Sequence, residues 1–199
     1  METEIEMWEL AGPAFVNAVP ALMEIYYAAM SPPPDQLSGR QAIMRQHADY
    51  PRFHSVTAVT GRGEAVGFAY GFHGAPGQWW HDVVSAELGG SDPAGARHWL
   101  GDSFEVAEVH VLPAWQGRGV GRAVLHRLTS GRRERTAVLS THTGPTPARG
   151  LYSSFGFTDV LAEFYFPGSP GRAFAIMAAP LPLPLPGGGP GRVAGRSRE

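Results

Sequence analysis

Apolar positions along this chain fall into stretches of period two and stretches of helical spacing, and the switches between them mark out the elements. Residues 5–10 open as a short strand. Pro13 stands where a first helical turn tolerates proline, and the apolar run behind it predicts a helix to about Met30. Ser31-Pro32-Pro33-Pro34 stops it, because proline disfavours helical geometry in the residue before it. Residues 35–50 predict a second helix, with Leu37, Ile43, Met44 and His47 roughly on one face. Residues 53–60 and 64–72 are β-rich runs around Gly61-Arg62-Gly63, the pattern of a hairpin.

Between residues 73 and 102 the rhythm breaks, as glycines and prolines punctuate Trp79-Trp80-His81-Asp82. So long a connection between strands predicts an inserted subelement or a functional segment. Beyond it, residues 104–112 predict a strand, 119–130 a helix, 136–142 a strand and 147–155 a short helix, followed by strands at 157–166 and 173–181. The last stretch has 5 Pro and 5 Gly in its 20 positions from Pro180 to Glu199 and no core-forming pattern. Residues 182–199 therefore read as a disordered tail on a single domain of residues 1–181.

Composition narrows the chemistry. The 199 residues are 43% hydrophobic and 11% aromatic, enough for a sizeable core. A net charge of −2 argues against a nucleic-acid binder, and without the tail the body carries 13 Arg against 17 acids. No cysteine is present, which removes disulfides, thiolate metal sites and thiol nucleophiles. Every one of the 16 basic residues is Arg, so a Schiff-base lysine and a phosphate-loop lysine are both excluded. The acidic N-terminus lacks the pattern of a secretory signal, and the apolar stretch 13–30 is interrupted by Asn17, Pro20 and Glu24. A cytoplasmic protein without a membrane span is the expectation. The histidines show no metal-ligand spacing, and no metal is assigned.

The densest information lies in residues 105–125, a predicted strand that runs through a glycine loop into a helix. Gly117, Gly119 and Gly121 let the backbone approach an anion without a Cβ clash, and the helix behind them offers free N–H groups and the positive end of its dipole. Arg118 and Arg122 add positive charge at the rim. The Gly-x-Gly-x-Gly spacing fits neither the dinucleotide fingerprint nor a Walker loop.

Val111-Leu112-Pro113 followed by Gln116-Gly117-Arg118-Gly119-Val120-Gly121 resembles the acetyl-CoA signature of the Gcn5-related N-acetyltransferase superfamily, Gln/Arg-x-x-Gly-x-Gly/Ala behind a strand ending in Val-x-Pro. A second signature of that family, Leu-Tyr-x-x-x-Gly-Phe, is matched by Leu151-Tyr152 through Gly156-Phe157. The ordered pair is far more specific than either alone. Pro145 stands where many members carry Asn near the cofactor. The resemblance implies an α/β (α+β) fold: a twisted, mixed, mainly antiparallel sheet of six to seven strands flanked by about four helices, with the 73–102 insertion between the third and fourth strands.

Function follows by the same resemblance: direct transfer of an acetyl group from acetyl-CoA to a primary amine of a small molecule or peptide. Backbone from Gln116 to Gly121, together with Arg122, would hold the pyrophosphate. Val109, His110 and Val111 would meet the pantetheine arm through their main chain, and a backbone N–H near Val111 would face the carbonyl oxygen. Glu105 stands where several members carry the general base, with Glu108 the alternative, and Tyr152 where the family places a general acid for the thiolate. Strand geometry sends Glu105 and Glu108 to opposite faces unless a bulge intervenes. His110 is expected to face outward, and His142 is a further candidate base. Trp79 and Trp80 read either as an aromatic anchor for the insertion or as walls of an acceptor pocket in which Asp82 pairs with the amine. Homodimers are common in the family. The rival readings are a regulatory module that binds acyl-CoA without turnover, and a transferase acting on a protein N-terminus or lysine.

Overall fold

Seven strands hydrogen-bond into one sheet in the order β1-β2-β3-β4-β5-β7-β6. The computed structural model describes residues 4–32, 37–169 and 171–184. In chain order the elements are β1 (Ile5–Glu9), α1 (Gly12–Met30), α2 (Leu37–His47), β2 (His54–Thr60), β3 (Ala65–His73), α3 (Trp79–Ser91), α4 (Pro93–Leu100), β4 (Ser103–Val111), α5 (Val120–Thr129), β5 (Thr136–His142), α6 (Pro147–Ser154), β6 (Thr158–Phe164) and β7 (Phe174–Pro180). Only β4 and β5 run parallel; every other neighbouring pair is antiparallel. That is the mixed, mainly antiparallel sheet expected from the sequence.

Among the described residues there are six α-helices, two more than expected, and the extra pair is the 73–102 insertion. The helical signal of α3 is weak because Gly89 and Gly90 sit inside it, but Val84 and Leu88, one turn apart, are buried. Asp92 then caps α4 by accepting from the Gly95 N–H at 2.9 Å, with Pro93 in the first turn where its missing N–H costs nothing.

Each face of the sheet has its own cover. On one face α1 packs Phe15, Val19, Leu22, Met23 and Tyr26 against Phe68, Tyr70 and Phe72 of β3. Beside it, on the same face, α3 and α4 pack Val84, Leu88 and Leu100 against Val138, Ile176 and Ala178 of β5 and β7. The opposite face is closed by α5 and α6, whose Val124, Leu125, Leu128 and Tyr152 meet Phe104, Val106 and Leu139. Leu183 is buried in that same core, so the packed chain runs past residue 181. Residues 185–199, most of the expected tail, lie outside the described residues. No described helix is long and apolar enough to cross a membrane.

Candidate active site

The site begins with one extra residue in β4. Tyr70 of β3 pairs with Glu108, but the next residue, Gly71, pairs with Val106, so Ala107 has no partner and β4 bulges there. A bulge reverses the alternation of side chains. Below it Phe104 and Val106 point into the α5 and α6 core; above it Val109 and Val111 do. Glu105, Glu108 and His110 are consequently all on the other face, at the seam between the α1–α2 cover and the α3–α4 cover. Opposite faces, the expectation for an unbroken strand, gives way to a shared one.

The second feature is a parting of strands. β4 and β5 pair only through Ser103↔Thr136, Phe104↔Ala137 and Glu105↔Val138, whereas β5 continues against β7 as far as His142. From Glu108 onward the β5-facing main chain of β4, including Val109, His110 and Val111, has no strand partner. A 3₁₀ turn, Pro113–Trp115, then leads into the glycine loop, and Gln116 Nε2 donates to Val111 O at 3.0 Å, tying the loop to the strand end. Gly117 (φ 73°) and Gly119 (φ 82°) occupy the left-handed region that other residues avoid. Gly119 caps α5 without a side-chain hydrogen bond, so the N–H groups of Val120, Gly121 and Arg122 point out of the helix end unpaired by the helix.

Arg118 stacks on the Trp115 ring at 5.3 Å and Arg122 on Phe155 at 5.4 Å. Among the described residues neither guanidinium has an acidic partner. Free N–H groups, a helix dipole and two unneutralised guanidinia form a donor set suited to a diphosphate, and the unpaired strand edge suits an amide-bearing arm. These residues therefore fit acetyl-CoA.

At the seam lies a cavity of about 450 Å³, and Glu105 and Glu108 both face it. Glu105 is 5% exposed, and among the described residues its Oε2 has no hydrogen-bond partner. Burial first, and the Glu108 charge second, push its carboxyl up to about 8. Glu108 has the opposite fate. Burial would raise its pKa as well, but the adjoining His110 and Arg40 outweigh that and hold it below the ordinary carboxylate range. Arg40 Nη1 meets Glu108 Oε1 at 2.9 Å, and His110 Nε2 bonds Oε2. His47, whose Nδ1 lies 3.2 Å from the Tyr70 hydroxyl, is lowered to about 4, chiefly by burial and also by Arg40.

Aromatic rings build the walls. Trp80 lines the cavity and donates from Nε1 to Ser140 Oγ at 3.3 Å. Trp79, 56% exposed at the mouth, stacks on Phe166 at 5.4 Å, while Tyr50 and Phe72 meet edge to face at 4.9 Å on the far side. Both tryptophans thus anchor the insertion and wall the cavity at once. Asp82 does not line it. Its two carboxylate oxygens each accept from the Gly77 N–H at 3.1 Å, holding the turn before α3.

Tyr152 lies in the α5 and α6 core, edge to face with Phe157 at 5.9 Å, and its phenol pKa is raised by burial and by the Glu108 charge. His110, expected to face outward, is 8% exposed and edge-on to Tyr26 at 5.0 Å, because α1 covers the face to which the bulge turns it. His142 stacks on Phe174 at 5.0 Å, and burial and Arg172 lower its pKa. Arg40 and Ser140 carried no signal in the sequence: nothing local marks an arginine that will meet a carboxylate 68 positions away. Among the described residues, no three His, Asp or Glu side chains converge as a metal site.

Residues 54–159 match the family model for the acetyltransferase (GNAT) domain. Over 123 residues the chain is 42% identical to the GCN5-like protein acetyltransferase Rv2170 of Mycobacterium tuberculosis, a match covering 59% of this chain and 59% of that relative's length. Among solved structures it is similar to a chain from Desulfovibrio desulfuricans assigned to the GNAT acetyltransferases, with a TM-score of 0.62 at 16% identity over 89% of this chain and 99% of that one. A TM-score of 0.58 relates it to the ribosomal-protein-S18-alanine N-acetyltransferase of Escherichia coli, at 18% identity over 89% of this chain and 94% of the other. At such identities the structural likeness speaks for the fold.

Proposed function

This chain belongs to the GNAT acetyltransferase family, and we propose that it transfers an acetyl group from acetyl-CoA to a primary amine by direct attack of the amine on the thioester. The observation that carries the reading is Glu105: a buried carboxyl with no ion-pair partner, standing where β4 parts from β5 and facing a cavity that could hold an amine.

An ammonium ion has no lone pair to attack with, so the first task is to take its proton. A carboxyl pushed up to about 8 suits that task near neutral pH, since a base works best when its pKa lies close to the operating pH. Glu108, paired with Arg40 and hydrogen-bonded to His110, is the poorer base, and its charge is the second influence on Glu105. The thioester supplies an activated acyl carbon and a thiolate leaving group. The arrangement of the loop supports Gln116 to Gly121, with Arg122, as the pyrophosphate holder, and the unpaired edge at Val109 to Val111 as partner of the pantetheine amides. A main-chain N–H on that edge would hydrogen-bond the carbonyl oxygen as it gains charge. Tyr152, kept protonated by its surroundings, would give its proton to the departing sulfur.

A protein amine as acceptor is a second reading, favoured by the relative that is 42% identical over 59% of its length and described as a protein acetyltransferase. The cytoplasm is the setting that goes with either.

Calorimetric titration of acetyl-CoA, followed by thiol release over amines and peptides, tests the proposal. Binding with acceptor-dependent release is expected. Binding without release on any acceptor would leave only an acyl-CoA-binding module, and no binding would sink the assignment of the Gln116 to Gly121 loop.

A further inference from the structure

Charge in the cavity is almost entirely spent within the protein. Two carboxylates and one guanidinium face it, and the Arg40 to Glu108 pair cancels one carboxylate. Among the described residues, Glu105 remains as the one acid of the wall without a partner, and no cation of the wall is left over. His47 cannot serve as that cation, being held neutral by burial in contact with Tyr70 and Phe72. The greater part of the remaining surface is ring and hydrocarbon, with Phe72 on one side and Trp79, Trp80, Phe166 and Phe174 on the other, and its other polar groups, on Gln46, Gln78, Ser140 and Ser169, are uncharged. Three chemistries are disfavoured by this balance. A polyamine or aminoglycoside would bring further ammonium groups to a wall with no second free acid. A free amino acid would bring a carboxylate with no cation to meet it. A burial of that kind without a partner is strongly unfavourable.

We infer that the acceptor, given the acetyl-transfer reading it rests on, carries a single primary ammonium on an apolar stem or ring with no second charge nearby, its nitrogen at Glu105 and its body between Phe72 and the Trp79–Trp80 wall. Two sources share that chemistry: a free arylalkyl or alkyl monoamine, and the side chain of a lysine within a peptide.

The test uses the full chain and two readouts. Amine binding without acetyl-CoA is followed by tryptophan fluorescence, and turnover by thiol release, with phenethylamine, an N-acetylated and C-amidated lysine peptide, spermidine, kanamycin and glycine. Phenethylamine or the lysine peptide should exceed spermidine, kanamycin and glycine by about 10- to 100-fold in kcat/KM, and which of the two leads identifies the source. Ile43, on α2 at the cavity and 40% exposed, offers a gain of function that does not depend on a buried change. Ile43→Glu should shift preference toward 1,4-diaminobutane by about 2- to 5-fold, because it adds the missing second acid. Equal or better use of spermidine, kanamycin or glycine by the unaltered protein overturns the inference while leaving acetyl transfer standing. Phenethylamine binding with no thiol release from any amine does the reverse. Absence of both binding and release for the two monocations overturns it outright.

Discussion

Glu105 and Glu108 face one cavity from the same strand, with Ala107 bulged out between them, and only Glu108 has partners for its charge. Their surroundings drive the two carboxyls apart: burial pushes Glu105 up to about 8, while His110 and Arg40 hold Glu108 low. Separated pKa values on neighbouring acids are the usual mark of divided roles.

Glu105→Gln keeps the shape of the side chain and removes its basicity. Turnover should fall by about 100-fold or more, with acetyl-CoA affinity unchanged. In the unaltered protein kcat/KM should rise with pH through an apparent pKa near 8, as Glu105 ionises. That limb should be missing from the variant's pH profile; a limb that persists would assign the base elsewhere.

The same group ties stability to pH. Its folded pKa of about 8 lies above the ordinary carboxyl value of 4.5, so between these values the folded state holds a proton that the unfolded chain has released. Stability should therefore decline as pH rises through that window, with the contribution gone above 8. Urea unfolding at pH 5, 6, 7 and 8 should show the decline in the native protein and a flatter line in Glu105→Gln.

His47 works in the opposite sense. Its pKa falls from 6.5 to about 4 on folding, so between those values the unfolded chain binds more protons. Stability should be lost as pH drops from 6.5 toward 4, and His47→Gln should weaken that loss. Unfolding midpoints at pH 4.5, 5.5 and 6.5 give the comparison.

Gly119→Glu should abolish measurable acetyl-CoA binding by placing a carboxylate at the α5 N-terminus. The left-handed backbone there (φ 82°) adds a stability cost of about 1–2 kcal/mol. Arg122→Ala should reduce affinity about 5- to 50-fold, the effect of one charge-assisted contact, and should lessen its dependence on salt. Titrations at 50 and 300 mM salt would detect both.

Gly71 lies across from the bulge, where a Cβ would collide with Glu105 O and come within 2.7 Å of the Phe104 ring. Gly71→Ala should destabilise the fold by about 1–3 kcal/mol through overpacking and should also disturb turnover, because it presses on the strand that carries Glu105. Normal stability with normal kinetics would show that β4 yields there at no cost.

How far the sequence could be read depended on how local each feature is. Positive φ at Gly117 and Gly119, the open N-terminus of α5 and the strand before it are decided within a dozen residues, and the two signatures mark them. Strands β2, β3 and β5 were legible from their β-rich runs within a residue or so of their observed bounds. The helices of the insertion were not, since α3 owes its place to contact with β5 and β7 rather than to its own glycine-interrupted pattern. Asp82 looked like an acceptor ligand and instead holds the turn at Gly77, a role set by how α3 begins.

The sequence by itself determined the family, the glycine loop ahead of α5 and the alternation of strands and helices, because these rest on short-range backbone preferences and on patterns of a few residues. Only the tertiary structure decided that Ala107 bulges, that Arg40 reaches Glu108 and that Glu105 is left without a partner beneath aromatic walls. Strand register and ion pairing are settled between segments far apart in the chain. The environment that sets the reactivity of Glu105 exists only once those segments have packed.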